Sequence, residues 1–449
     1  MDSYYTQKAS KSLPESCLKL SRASKRSLES FMGSLLVTLN ELMDKRLVRT
    51  LYLLTELLAS LSKSRHSLQL TTLGGRLLGE FQSTAGMKRI HRLLESPKWS
   101  CRLLHEHIKK NCIEYLDSLP AGEMRLLLWD DSELEKHESS KAEGLCPVRS
   151  SKFKRLIRIR PGFYNPPTKK PGFVAGFHWI GLVGCGLHAM PQLFEFRFWT
   201  SRGPDADGWL SQHLKLLFKV HERLADSVIH VFDRGFCSQN WLRALTGLGA
   251  RFLIRWNGRY KLENAKGELK NTYKHSLGKK AASTRKVWDM KRNCYRKAGV
   301  LFMPVVHPKV PDALLYLVIC RPGKKGQKPW YLITSERVES AKQAWKIVFA
   351  YSRRWLVETA FRYNKAELGI ESIRLKAWEK RMKLISIIML VYAFLLSTLN
   401  YAGGILLKMM LKIASDRKRK RYRDASIPLY RIREILDFLW NQVPLGKFG

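Results

Sequence analysis

The apolar positions change period along the chain, and the changes divide it. From residue 1 to about 122 they recur at helical spacing: residues 39–61 repeat leucines on one face, and residues 68–99 predict two further short helices around Gly74-Gly75 and Gly86. From residue 124 short apolar runs take over. Residues 124–129 predict a buried strand that ends at Asp130-Asp131. Residues 173–182 and 192–199 predict two more strands, 208–225 a helix, 227–232 a buried strand, 238–248 a short helix and 251–256 another strand. Strands alternating with helices imply an α/β sheet. Apolar runs at 300–306 and 313–319, punctuated by Gly and Pro, predict a small β-rich insert. The helical period returns from 340 to about 369, before an apolar helix and a tail holding the basic run 417–423 and then 427–442.

The apolar helix decides between two classes of protein. Residues 384–407 hold no charge over 24 positions, long enough to span a bilayer. Ser386, Ser397, Thr398, Asn400 and Gly403-Gly404 dilute the stretch, and Arg381, Lys383, Lys408 and Lys412 flank both its ends. A buried core helix is therefore expected, and no membrane partner. The first 25 residues show no signal-peptide layout, and the eight cysteines form no C-x-x-C pair. Cys185 and His188 make one C-x-x-H without a second half, so the cysteines read as reduced thiols in a cytoplasmic protein.

Charge narrows the partner. Eighty Lys and Arg face 38 Asp and Glu, a net of +42, while 45% of residues are hydrophobic and 11% aromatic. Such a chain folds, and its surplus charge calls for a polyanion, either nucleic acid or an acidic membrane surface. The surplus is dense in residues 258–330, with eighteen basic residues against four acids. The segment Met87-Lys88-Arg89-Ile90-His91-Arg92-Leu93-Leu94 reads equally as a solvated amphipathic helix or as one that contacts DNA.

The segment from Tyr351 to Lys365 carries the chemistry. On a helix, Tyr351, Arg354, Glu358, Arg362 and Lys365 fall within about 80° of one another, with Leu356, Val357, Ala360 and Tyr363 on the other side. A solvated face with i, i+4 pairs accounts for the charges but not for one acid among three cations. A metal ligand beside phosphate-holding groups accounts for both. Asp130 and Asp233 follow predicted strands, and neighbouring strands lie about 4.8 Å apart. With Glu358 from a helix packed over the sheet, three carboxylates would hold two Mg²⁺ ions about 3.5–4 Å apart, clamping the attacking and leaving oxygens of an in-line displacement at phosphorus.

The spacing Tyr351-x2-Arg354-x3-Glu358-x6-Lys365 resembles the Tyr-Arg-Glu-Lys signature of bacterial insertion-sequence transposases of the insertion-sequence-four group, which are DDE transposases. Trp129-Asp130-Asp131-Ser132 is similar to their first-acid motif, and Phe232-Asp233-Arg234-Gly235-Phe236 to their second. The resemblance runs from about residue 20 to 400. It implies an α/β fold with a ribonuclease H-like core interrupted by a β-rich insertion. The layout would be a helical DNA-binding domain at 1–122, the core at 123–256 and 339–400, the basic insertion at 257–338, and a basic helical C-terminal region at 401–449 suited to dimerisation.

The resemblance also implies roles. Asp130, Asp233 and Glu358 would be the catalytic metal ligands, with Mn²⁺ able to replace Mg²⁺. Of the adjacent acids, strand alternation lets only one face the metal, and the motif favours Asp130. Tyr351, Arg354 and Lys365 would hold the phosphates and terminal strand of the transposon end, and Arg362 and Arg255 match further basic positions. Trp330 matches an insert Trp that stacks on a flipped base, a role that Trp288 in the same insert would also fill. Lys88, Arg89 and Arg92 would contact DNA from the N-terminal domain. The implied activity is metal-dependent cleavage and strand transfer at terminal inverted repeats, by a homodimer on double-stranded transposon-end and target DNA, with or without a hairpin end, in the bacterial cytoplasm at the nucleoid. The alternatives are an inactive nucleic-acid-binding derivative and a ribonuclease H-like nuclease without strand transfer.

Overall fold

The computed structural model describes residues 15–61, 67–136, 139, 141–150, 173–203, 206–289, 294–323, 328–400 and 429–441. The chain opens with helix α1 (Glu15–Leu42) and helix α2 (Lys45–Ser60). The leucine run at 39–61 is thus broken, because the Asp44 side chain caps the second helix by accepting the Arg46 backbone N–H at 2.7 Å. Helix α3 (Leu70–Leu78) and helix α4 (Ser83–Glu95) follow, then helix α5 (Cys101–Asp117). Gly74 and Gly86 mark the crossing of α3 and α4, where a Cβ on either would collide with the other helix's backbone. Gly79, at φ +102°, makes the turn between the two helices.

Next come strands β1 (Arg125–Glu135), β2 (Cys146–Arg149), β3 (Phe173–Gly186) and β4 (Gln192–Trp199), helix α6 (Trp209–Leu224), strand β5 (Ile229–Phe232), helix α7 (Gln239–Gly247) and strand β6 (Phe252–Arg255). Strands β7 (Lys261–Asn264), β8 (Leu269–Asn271), β9 (Ser283–Asp289), β10 (Cys294–His307), β11 (Val310–Pro322) and β12 (Trp330–Thr334) lie in the segment 257–338, the expected β-rich insert. Helices α8 (Ala341–Arg353), α9 (Trp355–Ala366), α10 (Trp378–Asn400) and α11 (Leu429–Asn441) complete the described chain.

The chain divides into two compact units, Met1–Ile108 with Tyr363–Gly449, and Lys109–Arg362. The first is helical. Its α10 is the one described helix long and apolar enough to cross a membrane, and most of its side chains are buried inside the unit, among them Leu384, Ile388, Leu390 and Phe394. Each such burial stabilises the fold by about 1.5–3 kcal/mol. Two charges near its start, Arg381 and Lys383, are buried too, and each has a protein partner. Lys383 Nζ donates to the Ser96 carbonyl at 2.9 Å, and Arg381 donates to the carbonyls of Leu375 and Lys376. The basic run 417–423, Gly403-Gly404, and residues 427, 428 and 442 of the tail lie outside the described residues.

The second unit holds a mixed sheet of twelve strands in the order β2-β3-β1-β5-β6-β12-β11-β10-β7-β8, with β4 also on β3 and β9 also on β10. Strand β1 runs antiparallel to β3 and parallel to β5, and β5 parallel to β6. The strands of residues 257–338 continue this sheet, because β12 pairs antiparallel with β6. One face of β1 and β5 packs Trp129 and Phe232 against Trp241 of α7 and residues of α6. Helix α9 covers the other face at Gly181 of β3, where an added Cβ would stand 2.5 Å from the Phe361 ring and 3.1 Å from Val357.

Candidate active site

Strand alternation sorts the two adjacent acids of β1. Trp129 points to the α6–α7 side, where its Nε1 donates to His230 Nδ1 at 3.0 Å. Asp131 shares that side. Its Oδ1 lies 2.7 Å from His213 Nε2, and its Oδ2 accepts from Trp209 Nε1 at 2.6 Å, so both oxygens are engaged by α6. Asp130 points to the opposite face, beside its cross-strand partner Gly181 and under α9. Its Oδ2 accepts from Arg354 Nη1 at 2.8 Å, and its Oδ1 from the Asp131 backbone N–H at 3.0 Å.

The strand does not end at these acids. Strand β1 runs on to Glu135 because β3 pairs with it along all eleven residues, whereas β5 pairs only at Leu126–Leu128. Asp130 therefore sits where the parallel neighbour leaves, and continuing that register sets it level with Asp233 just after β5. Asp233 Oδ1 accepts from the Tyr351 hydroxyl at 2.9 Å and lies 3.9 Å from Arg354 Nε.

The helical segment differs from the expected single helix. A capping box of Ser340 and Gln343 starts α8, which ends at Arg353, and α9 begins at Trp355. Between them the Arg354 N–H reaches back only three residues, to the Tyr351 carbonyl at 3.1 Å, a tightened turn. Arg354 and Glu358 still meet, since Arg354 Nη2 donates to Glu358 Oε1. The three nitrogens of one guanidinium thus address three different carboxylates from β1, the end of β5, and α9.

Burial and charge set the electrostatics. Burial pushes the Asp130 carboxyl up to about 7, with Arg354 opposing and the charges of Glu358 and Asp233 adding to the rise. Burial would also raise Asp233, but Arg354, the Arg234 N–H, the Tyr351 hydroxyl and Arg255 together hold it below the usual carboxylate range. The Tyr351 hydroxyl is pushed up, by burial first and then by Asp233. Asp130 rises despite its ion pair because burial of the carboxyl outweighs the attraction of Arg354. The donor chemistry suits a hard divalent cation, namely carboxylate oxygens meeting on one positive group. As arranged around Arg354, no group of three or more His, Cys, Asp or Glu among the described residues closes on a metal position.

The remaining expected residues divide. Trp330 sets its ring edge-on to Tyr351, with centroids 5.1 Å apart and planes at 72°. Trp288 lies on β9. Arg362 is exposed on α9, and Lys365 lies on its last turn, half-buried. In the helical unit Lys88 and Arg92 are exposed on α4, whereas Arg89 turns inward and donates from Nε to Thr50 Oγ1 at 2.7 Å. His213, Trp209 and Gly181 escaped the sequence reading as partners of the site. The one available signal was the pair of adjacent acids, of which alternation leaves one to be held elsewhere.

The class so defined is a mixed α/β protein with three carboxylates gathered on one arginine. Residues 210–394 match the family described as Transposase DDE domain, and the match supports a DDE transposase. That stretch includes Asp233, Glu358 and the insert, and stops short of Asp130. No curated protein matches the chain. Among solved structures it is similar to "Cryo-EM structure of piggyBac transposase synaptic complex with hairpin DNA (SNHP)", with 13% identity and a TM-score of 0.39 over 96% of this chain and 82% of that one.

Proposed function

We propose that this chain is an insertion-sequence DDE transposase of the Tyr-Arg-Glu-Lys kind, which binds terminal inverted repeats and catalyses divalent-metal-dependent strand cleavage and transfer. One observation carries the reading: Asp130, Asp233 and Glu358, drawn from segments more than a hundred residues apart, share the guanidinium of Arg354. The strand order β4-β3-β1-β5-β6, antiparallel on one side of β1 and parallel on the other, supports a ribonuclease H-like core into which the β-rich insert is placed.

Asp130, Asp233 and Glu358 would hold the metal, Mg²⁺ or Mn²⁺. When bound, it would supply an activated water and charge stabilisation at phosphorus. The chain's own groups do the positioning. The Tyr351 hydroxyl fixes one Asp233 oxygen, and α6 fixes Asp131 so that Asp130 keeps its face. Arg255, Arg354, Arg362 and Lys365 offer cations to the DNA backbone, and Trp330 a ring for an unstacked base. Exposed Lys88 and Arg92 would contact duplex DNA from the helical unit, and two copies would bring two ends together in the bacterial cytoplasm. The test is incubation of purified protein with Mg²⁺ and inverted-repeat duplex, read as nicked, hairpin and joined products. Cleavage at the wild-type rate by Asp233→Ala would remove that residue from the chemistry, and nicking without joining would make the protein a nuclease.

A further inference from the structure

We infer that Arg354 is an exchangeable counter-cation, which holds the three carboxylates together in the DNA-free chain and keeps divalent cations out until a DNA phosphate draws its guanidinium away. The inference rests on the proposed metal role of the acids and concerns the regulation of that same site. Arg354 gives each side-chain nitrogen to a different acid: Nη1 to Asp130 at 2.8 Å, Nε to Asp233 at 3.9 Å, and Nη2 to Glu358. Its side chain is 11% exposed and that of Asp130 18%, while those of Asp233 and Glu358 are 35% and 31% exposed, so two of the acids face solvent and the arginine is tucked among the three.

A divalent ion needs the same oxygens at about 2.0–2.1 Å and is repelled by a guanidinium on those oxygens. The two cations therefore exclude one another. Phosphate is the other strong partner of a guanidinium, since its oxygens match the planar fork. Arrival of a phosphodiester offers Arg354 that partner and leaves the acids uncompensated, which raises their demand for metal. DNA and metal would then bind cooperatively, and by linkage each would tighten the other by one factor. A chain with a net charge of +42 meets DNA everywhere, and a site that fills only after a phosphate engages the arginine limits metal-driven hydrolysis elsewhere.

The experiment is Mn²⁺ binding to the DNA-free full chain, followed by electron paramagnetic resonance, for wild type, Arg354→Gln, Arg354→Lys and Asp233→Asn. Arg354→Gln should bind Mn²⁺ about tenfold more tightly than wild type, inside the roughly 5–150-fold range of such couplings. Arg354→Lys, which keeps a charge but loses the fork, should fall between them, and it carries the comparison should Arg354→Gln fail to fold. Equal or weaker Mn²⁺ binding by the folded arginine variants overturns the exchange. Absence of Mn²⁺ binding in every variant, or binding untouched by Asp233→Asn, instead overturns the metal role of the acids.

Discussion

Two hydroxyl- and imidazole-scale contacts decide which acid does what. Asp233 receives the Tyr351 hydroxyl, whose ring is braced by Trp330. Tyr351→Phe removes that donor and nothing else of comparable size. A hydrogen bond to a charged group contributes about 1.5–3 kcal/mol, so cleavage of inverted-repeat DNA should fall roughly ten- to a hundredfold, with a loss of stability no larger than that one bond supplies. An unchanged rate would show that Asp233 needs no such orientation. Asp131 is the mirror case, held by His213 and Trp209 on the far face of the strand. Asp131→Asn keeps the shape and loses the charge, so it should lower stability by about 1–3 kcal/mol in urea titrations. Under saturating Mg²⁺ it should cleave far better than Asp130→Asn. Equal loss of cleavage in both would mean that the two neighbours share the chemistry.

At the scale of elements, the approach of α9 to the sheet depends on the missing side chain of Gly181. Gly181→Ala forces the Phe361 ring and Val357 to give way beside Asp130, an overpacking that costs about 1–3 kcal/mol and moves Glu358 with the helix. Cleavage should fall in step, and Phe361→Leu added to Gly181→Ala should restore much of it. A double variant no better than the single one would place the damage elsewhere. Much of this layout was legible in the chain. Strand β4 coincides with the run 192–199, Ser238 caps α7 at the predicted start, and the short apolar runs before Asp130 and Asp233 gave the right strands. Contacts distant in sequence were not legible. Nothing near Asp130 announces that β3 will carry β1 on to Glu135, and although the three acids are expected to meet, nothing near Arg354 announces that its one guanidinium will join them and that the helix will tighten there. Helical period likewise told that α10 is apolar, but not that its partners are the N-terminal helices of the same compact unit.

For the whole molecule, the aromatic core beneath the site ties stability to pH. His230 is fully buried, and its Nδ1 accepts from Trp129 Nε1, a bond available only to the neutral ring. Burial pushes its pKa down to about 3, with the charge of His221 adding to the fall. In the unfolded chain the ring titrates near the ordinary value of about 6.5. Between those values the unfolded state binds the extra proton, so this contribution to stability is complete above about pH 6.5 and drains away as pH falls toward about 3. The slope is about 1.4 kcal/mol per pH unit. Carboxylates add their own acid dependence, so the measurement is a difference: urea midpoints of wild type and His230→Phe across about pH 4 to 7. The variant forgoes the Trp129 bond and should be the less stable of the two at neutral pH, with the gap closing steadily on acidification. Parallel profiles would mean that the ring at position 230 takes up a proton inside the folded core, and that the Trp129 contact gives way without unfolding the sheet that carries Asp130 and Asp233.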